Sequence, residues 1–453
     1  MDAFMSAPRG QFTTRFGFIM AAAGSAVGLG NIWGFPTQTA SNGGAAFVVV
    51  YLVLAFLLAY PALMAELVIG RHARANIVTA LGSLSDKPII NNIGRATGFY
   101  GVIVASLILS FYTIVAGWMI CYLFASATDL VSADTATQWL TTDSIDRNLF
   151  SSFIFAGLTL FIISSGVQNG IEKWSSRLMP VLMGLLCLLI AYVVAQPGAM
   201  EGLKVYLLPD MSRVFEPSLI ISAMGQAFFS LSLGVGTMLV YGSYLSKDDS
   251  LPRLGAIVTV VDVGIAFIAG LLILPAMYVA QHAGVTILDD AGNLIGGPDM
   301  IFQVLPALFN TMGGAGDFVA LAFFALMTIA ALTSSISMLE VPVSLAVERF
   351  NVRRPVAAIA IGSSIFAISA LIIFNFGTLF GFVIDLTTKY SEPLLGVAIC
   401  LYCGWIFKRN LLLKELKEGH DDIEDSLFWK IWPLYVKVIC PLLILATFWH
   451  SLS

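Results

Sequence analysis

Long apolar runs, separated by short polar segments, dominate this chain. A helix of about 20 apolar residues spans the hydrocarbon core of a bilayer. The sequence therefore predicts eleven membrane helices, numbered here 1 to 11 in chain order: 14–40, 44–70, 95–126, 149–166, 174–195, 216–246, 253–282, 315–348, 354–374, 376–407 and 430–451. The predicted fold class is an all-α polytopic membrane protein with one transmembrane domain over residues 1–453.

Helix 1 contains a segment that does not suit an uninterrupted helix. Residues 24–36 hold four glycines, one asparagine and one proline, within a charge-free run over 16–65. Glycine and proline weaken helices, and a backbone group freed in lipid needs another partner. We interpret this segment as a break at mid-membrane depth. Its carbonyl groups can hold cations, and its N–H groups can hold an anion.

A similar interruption occurs in helix 6, at residues 232–237. Helix 6 lies five spans after helix 1, and because five is odd the two halves have opposite orientations. The sequence thus predicts a five-plus-five inverted repeat over 14–195 and 216–407, followed by an extra helix at 430–451. Paired broken helices in inverted halves indicate a transporter site near the bilayer midplane.

Composition and charge support this architecture. The chain is 58% hydrophobic and 11% charged, whereas soluble domains have about 25% charged residues. If the N-terminus lies inside, the only basic residues of the outer loops are Arg147, Lys204 and Arg213, which satisfies the positive-inside rule. Because eleven spans are an odd number, the C-terminus then lies outside. The net charge of −5 gives no reason to expect a nucleic-acid partner.

Polar groups at membrane depth need a partner or a role. Thr333, Ser334 and Ser335 follow Ala330 in helix 8. Their hydroxyl groups either bond backbone carbonyls and neighbouring helices or bind sodium, which prefers neutral oxygen ligands of this kind. Asp262 in helix 7 is an isolated carboxylate, for which a cation ligand is favoured over a structural salt bridge.

Other acids of the predicted helices have more ordinary interpretations. For Glu66 and Glu340, hydrogen bonding to unwound backbone is favoured over direct cation binding. Asp385, Lys389 and Glu392 follow one another at i, i+4 and i+7, which predicts an ion-pair stripe on one face of helix 10. No nucleophile, base and orienting group occur at a sensible spacing, so we do not expect an enzyme.

Several of these segments together resemble the neurotransmitter:sodium symporter family. The resemblance lies in residues 24–36 and 42–44 for the first helix, 225–234 for the sixth and 332–336 for the eighth, with 66–71 in the second. Eleven helices are typical of the bacterial amino-acid branch. The resemblance implies alternating access and two sodium sites.

The resemblance also implies ligands for both ions. The first sodium would contact the Ala26 carbonyl, Asn31, Ser230, Asp262 and the substrate carboxylate. The second would contact the carbonyls of Gly24, Val27 and Ala330 and the hydroxyls of Thr333 and Ser334.

For the substrate, the resemblance implies that the Gly30 amide and the Tyr112 hydroxyl bind the carboxylate. Ala26, Gly28 and Ser230 border the same site, and the side chain would face Ile108, Phe229, Ser232, Val235, Ser334 and Met338. Phe229 and Tyr112 would form an outer lid, while Arg9, Phe12, Tyr244 and Glu348 would close the inside. Tyr112 has a plainer alternative as a packing aromatic.

The sequence departs from the family pattern at two places. Gly34 stands where the family has the outer-gate arginine, and the nearby acid Asp385 aligns about one residue off. Ala266 stands at the chloride-binding serine of animal members, although Tyr51, Gln226 and Ser230 of that site persist. Because Asp262 supplies a fixed carboxylate, no chloride requirement is expected.

These observations predict a sodium-coupled importer of amino acids in the bacterial inner membrane. Gly28 lacks the aspartate of amine transporters, and Val235 with Met338 favours large hydrophobic or aromatic neutral side chains. Gly170 and Pro180 are ten positions apart at the start of helix 5, which predicts that this helix unwinds when the second sodium is released to the inside. The alternative is an ordinary proline at the end of a helix. The alternatives for function are a sodium-dependent amino-acid receptor without accumulation, or a channel. The expected partners are the amino-acid substrate and the lipid bilayer, and no obligate protein partner is inferred.

Overall fold

The computed structural model describes residues 10–128, 140, 144–288, 294–295 and 299–452. Arg9, predicted to help close the inside, lies outside the described residues. Within them the backbone is helical, apart from turns, connecting segments and one isolated bridge between Leu288 and Leu294. The predicted all-helical class is therefore confirmed for the described part of the chain.

Eight described helices are long and apolar enough to cross a membrane. They are helix 2 at Ala45–Ala73, helix 3 at Pro88–Ala127, helix 4 at Ile145–Ser164, helix 5 at Val167–Val194, helix 7 at Leu251–His282, helix 8 at Gly314–Phe350, helix 9 at Arg354–Phe374 and helix 11 at Leu427–Ser451. Two bent pairs raise the number to as many as ten: helix 1, and helix 10 at Phe376–Ile406 with the segment Arg409–Lys417.

Helices 1 and 6 are both broken, as the glycine pattern predicts. Helix 1 consists of Arg15–Ala26 and Gly30–Ser41, which meet at an angle of 56°. Helix 6 consists of Pro217–Ser230 and Thr237–Gly242, each too short to cross a membrane. Between its two pieces, Gly234 and Gly236 have φ angles of 90° and 81°, which only glycine adopts readily. The predicted total of eleven spans depends on this broken helix.

Short helices connect the long ones where the sequence predicts only loops. They lie at Ile77–Leu81, Ala199–Leu207, Met300–Thr311 and Arg409–Lys417. The last of these is fixed to the end of helix 2, because Arg71 Nε donates to Glu415 Oε1 at 2.6 Å. Helix 8 lies centrally and packs against helices 1, 3, 4 and 5.

The buried acids differ in how well the sequence predicts their partners. Glu66 accepts hydrogen bonds from the backbone N–H groups of Gly234, at 2.7 Å, and Leu239, at 3.2 Å, so the prediction of bonding to unwound backbone is confirmed. The same prediction is wrong for Glu340. Its carboxylate accepts from the Tyr244 hydroxyl and pairs with Arg354, a residue that the sequence places only at the start of helix 9.

The predicted ion-pair stripe of helix 10 is correct only in part. Lys389 and Asp385 form an ion pair at 2.8 Å, but Glu392 is not a member of it and is only 4% exposed. The reason is a π-helical segment at Asp385–Ser391. A π-helical turn inserts about one extra residue, which rotates the following positions by about 100° relative to a regular α-helix.

Candidate functional site

The two helix breaks contact each other in the middle of the bundle. Ser232, between the two pieces of helix 6, donates from Oγ to the Ser25 carbonyl of helix 1 at 3.1 Å. Gln226 Nε2 donates to the Gly30 carbonyl at 2.9 Å. Side chains of helix 6 therefore bind carbonyl groups on both sides of the break in helix 1, and that of Gly30 also accepts the Phe35 N–H.

A cavity of about 370 Å³ lies beside these breaks. Its volume falls within the range of about 300–1,000 Å³ that is typical of small-molecule sites. Every residue predicted to bind substrate lines it except Ser230: Ala26, Gly28, Gly30, Ile108, Tyr112, Phe229, Ser232, Val235, Ser334 and Met338. Most of this lining is apolar, and only a few polar groups converge on the cavity.

The polar end of the cavity is crowded around Gly28. A Cβ atom at Gly28 would lie 2.5 Å from Ser334 Oγ and 3.1 Å from the Tyr112 hydroxyl. That hydroxyl is buried, and among the described residues no group forms a well-formed hydrogen bond with it. A buried donor of this kind is costly unless a ligand completes it. The geometry therefore favours a ligand role for Tyr112 over simple packing.

Asn31, Ser230 and Asp262 form one cluster, although they come from helices 1, 6 and 7. Asn31 Nδ2 donates to Asp262 Oδ1 at 2.7 Å, and Ser230 Oγ donates to Asp262 Oδ2 at 2.8 Å. Asn31 Oδ1 is buried and has no hydrogen-bond partner among the residues that the structure describes. An unpartnered amide oxygen beside a carboxylate suits a hard cation such as sodium. Ala26, the remaining protein ligand predicted here, is the last residue of the first piece of helix 1.

The predicted ligands of the second ion also converge. Ser334 Oγ lies 3.2 Å from the Gly24 carbonyl oxygen and 3.4 Å from that of Val27. Thr333 Oγ1 lies 3.1 Å from the Ala330 carbonyl oxygen. In this structure the hydroxyls donate to these carbonyls, which is the packing role that the sequence leaves open. The same oxygens form a neutral group that fits a sodium ion.

The segment before helix 1 covers one end of the bundle, here named the Phe12 end and predicted to be cytoplasmic. Phe12 N donates to the Tyr244 carbonyl at 3.1 Å, and its ring contacts Phe18, Tyr241 and Tyr244. Glu348 accepts from the backbone and side-chain nitrogens of Asn76 at 2.9 and 2.7 Å. The structure thus brings Phe12 and Tyr244 together and places Glu348 against Asn76.

Glu172 is a residue of the Phe12 end that the sequence analysis does not identify. Its carboxylate accepts from the backbone N–H and the hydroxyl of both Thr13 and Thr14, at 2.7 to 3.0 Å. Hydropathy predicts that helix 5 begins at residue 174, which leaves Glu172 in a loop. The available signal was the threonine pair, because Thr14 is a favoured N-cap residue and caps helix 1.

The opposite end of the cavity, here named the Trp33 end, is lined by aromatic rings. The lining extends beyond Phe229 to Trp33, Phe111, Trp118 and Phe380. Phe229 is 44% exposed, and no ring contact joins it to Tyr112 in the described part of the chain. The outer lid formed by these two residues therefore stays a prediction.

The residues that correspond to a chloride site are close together but lack one donor. The Tyr51 hydroxyl lies 3.1 Å from Ser230 Oγ, and Gln226 is bound to the Gly30 carbonyl. Ala266 is fully buried and offers no hydrogen-bonding side chain. Ser230 also bonds Asp262, so the fixed carboxylate adjoins this position.

Two broken helices with a cavity beside the breaks are the features of a membrane transporter. The family model described as "Sodium:neurotransmitter symporter family" matches residues 9–152 and 149–453. The chain belongs to this family of sodium-dependent transporters.

Individual relatives agree with this assignment. The crystal structure of MhsT in complex with L-phenylalanine is 37% identical, has a TM-score of 0.84 and covers 98% of this chain and 100% of that one. The uncharacterized sodium-dependent transporter YhdH of Bacillus subtilis is 32% identical over 97% of this chain and 96% of its own length. The sodium- and chloride-dependent GABA transporter 2 of Rattus norvegicus is 26% identical, over 98% of this chain and 80% of its own length.

Proposed function

We propose that the chain is a sodium-coupled symporter that imports neutral amino acids with hydrophobic or aromatic side chains. The observation that carries this proposal is a single cavity with a polar end at Gly28 and Tyr112 and apolar walls formed by Ile108, Val235 and Met338. The likeness to MhsT, solved with L-phenylalanine, supports the same class of substrate.

The substrate carboxylate binds at the polar end of the cavity. The N–H of Gly30 and the unpartnered hydroxyl of Tyr112 act as its donors. A side chain at Gly28 would collide with Ser334, so the protein has no carboxylate of its own at this position. The substrate supplies one instead, which favours amino acids over amines. In this arrangement the substrate also completes the shell of the first sodium ion.

Two sodium ions take part in the cycle. The first is bound by Asn31, Ser230, Asp262 and the Ala26 carbonyl, and the second by the oxygen atoms of helices 1 and 8 around Ser334. Because the second group joins the break in helix 1 to helix 8, occupancy fixes their relative positions. Shared ligands couple the affinity for sodium to the affinity for substrate.

The architecture proposed for this cycle is eleven spans with repeats over 14–195 and 216–407. The paired breaks in helices 1 and 6 support it. The bacterial inner membrane is the proposed location, with the N-terminus in the cytoplasm and the C-terminus outside. Transport proceeds by alternating access around the central site.

Transport is proposed to be independent of chloride. The sodium site benefits from a nearby negative charge, which the GABA relatives, named as chloride-dependent, draw from an ion. Here Asp262 provides a fixed carboxylate next to Ser230, while Ala266 offers no donor to an anion. Asp262 is ionised when sodium is bound.

The test is uptake of twenty amino acids into proteoliposomes, with and without an inward sodium gradient. We expect concentrative uptake of large neutral amino acids only with the gradient, and no loss when gluconate replaces chloride. Asp262→Asn should weaken sodium affinity about tenfold or more, as loss of a charged ligand does, and make uptake sensitive to chloride. Ala266→Ser serves as a matched variant that adds a hydroxyl without removing the carboxylate.

Four results would contradict the proposal. Binding without accumulation would indicate a receptor, and single-channel conductance would indicate a channel. Dopamine or serotonin accumulated as well as any amino acid would exclude the proposed carboxylate site. A large loss of wild-type uptake in gluconate would show that Asp262 does not replace an anion.

A further inference from the structure

Glu392 is a buried acid with an unexplained position. It lies in helix 10, is only 4% exposed and contributes to the wall of the central cavity. Across residues 10–128, 144–288 and 299–452, no hydrogen bond or ion pair involves its carboxyl group. Lys389, the nearest base in its helix, is already paired with Asp385. An acid that is buried and faces a cavity without a partner is costly unless the cavity's ligand completes it.

The backbone of helix 10 fixes Glu392 beside the substrate pocket. A Cβ atom built at Gly234 would lie 2.4 Å from the Glu392 carbonyl oxygen, so helix 10 packs directly on the break in helix 6. Val235, the next residue of that break, lines the same cavity. Glu392 therefore adjoins the wall against which the substrate side chain is proposed to lie.

Glu392 carries the strongest acceptor of this part of the wall, and among the described residues no donor is bound to it. Thr388, one turn earlier in helix 10, also lines the cavity, but its hydroxyl donates to the Ile384 carbonyl at 2.8 Å and keeps only the acceptor capacity of a neutral oxygen. The carboxylate of Glu66 is held by backbone N–H groups of helix 6. Ile108 and Met338 offer only apolar surface. A carboxyl group in a mostly apolar wall favours a ligand that carries a donor.

We infer that Glu392 is a specificity-determining residue that accepts a hydrogen bond from the far end of the substrate side chain. This inference rests on the proposed function. The substrate class becomes neutral amino acids with a large side chain that ends in an N–H or O–H donor, as in an indole or a phenol. A primary ammonium group fits less well, because it brings three donors and a full charge into a wall that is mostly apolar, where few acceptors replace its lost hydration.

The experiment compares ligands that differ only in the donor. In proteoliposomes containing the full chain, uptake of labelled leucine is inhibited with L-tryptophan or with L-3-benzothienylalanine, in which sulfur replaces the indole N–H. Tyrosine and phenylalanine form a second pair. We expect the wild type to prefer the donor-bearing member by about tenfold, because a buried acceptor is left unpaired by its analogue.

Variants of helix 10 locate the effect. Glu392→Leu should bring both preference ratios to about one while leucine transport continues, and Glu392→Gln should retain part of the preference because the amide still accepts. Asp385→Asn is the matched control: it removes an exposed acid of the same helix and should leave the ratios unchanged.

Several outcomes would overturn the inference. Equal ratios in the wild type and Glu392→Leu would do so, as would inhibition by lysine that matches tryptophan and disappears in Glu392→Leu. If Glu392→Leu does not fold, the inference is still overturned when the wild type binds benzothienylalanine as tightly as tryptophan. Failure of every amino acid to be taken up by the wild type would instead contradict the proposed function.

Discussion

The Phe12 end of the bundle and the Trp33 end of the central cavity carry different kinds of contact. At the Phe12 end, the segment before helix 1 is held by directional polar bonds: Glu172 accepts from Thr13 and Thr14, and Arg15 pairs with Asp249 at 2.6 Å. At the Trp33 end, the cavity lining is mainly aromatic. The ion pair Asp385–Lys389, found in the described part of helix 10, lies within that one helix and does not bridge two.

This difference bears on how each end opens and closes. A hydrogen bond to a charged group contributes about 1.5–3 kcal/mol and requires one geometry. An aromatic pair contributes about 0.5–1.5 kcal/mol beyond burial and tolerates a range of separations. The Phe12 end is therefore expected to open in an all-or-none manner, whereas the rings of the Trp33 end can approach gradually. Closure of the Trp33 end by aromatic rings does not require an arginine at position 34, where this chain has Gly34.

The largest effect is expected from Glu172→Ala. Four donors of Thr13 and Thr14 lose their acceptor, which should destabilise the closed Phe12 end by about 2 kcal/mol or more and shift the population at least about tenfold. Uptake should fall accordingly. Opening can be followed by thiol labelling of Val167→Cys, which the segment at Gly10 covers, in a Cys187→Ser background.

The matched control is Glu201→Ala, which removes an exposed acid of the short helix Ala199–Leu207. It should change neither uptake nor labelling. Labelling of Val167→Cys that is equal with and without Glu172 would show that the polar bonds do not hold this end closed.

The sequence predicts the helices well because membrane spans have a strong hydropathy signal. It also locates the breaks, since glycine and proline act locally. The cation ligands stay a prediction that rests on resemblance to a family. The sequence does not predict the partners of Glu172 and Glu340, which lie on elements distant in sequence. The sequence wrongly assigns Glu392 to the ion-pair stripe of helix 10, because a π-helical segment changes the face on which this residue lies. No residue pattern predicts such a segment.

A second prediction concerns helix 5, which borders the Phe12 end. The helix is continuous over Val167–Val194 in this structure, with Pro180 inside it. Because proline removes one backbone donor, Pro180→Ala should stabilise the wound form and slow substrate release, by several-fold for about 1 kcal/mol. Sodium-dependent substrate binding should be retained. Unchanged transport would leave Pro180 without a functional role.

Gly170 sharpens this second prediction. A Cβ atom there would lie 2.1 Å from the Ile162 carbonyl oxygen, so glycine is required for the contact with helix 4. Gly170→Ala should therefore lower thermal stability as well as transport, whereas Pro180→Ala should slow transport without lowering thermal stability. Melting temperatures of both purified variants separate packing from release.

A third prediction tests the Trp33 end by installing the missing base. Gly34 has room for a side chain, since the nearest contact of an added Cβ atom is Gln226 Oε1 at 3.5 Å. An arginine here gains at most an exposed ion pair with Asp385, worth about 0–1 kcal/mol. Gly34→Arg should slow exchange of bound substrate with the outside no more than about fivefold. Gly34→Gln is the uncharged control, and equal slowing by both would indicate bulk rather than charge.

The smallest effect is expected from Lys389→Ala. Its pair with Asp385 has an i,i+4 spacing and leaves both side chains about half exposed, at 51% and 48%. Such a pair contributes about 0.3–0.5 kcal/mol, equivalent to a change of about twofold. Uptake and leucine affinity should therefore change by no more than about twofold. The same holds at high salt, because screening already weakens an exposed ion pair there. If Lys389→Ala instead reduces uptake tenfold, the Trp33 end depends on an ionic contact after all. Its closure would then resemble that of the Phe12 end, and the aromatic lining would be incidental to gating.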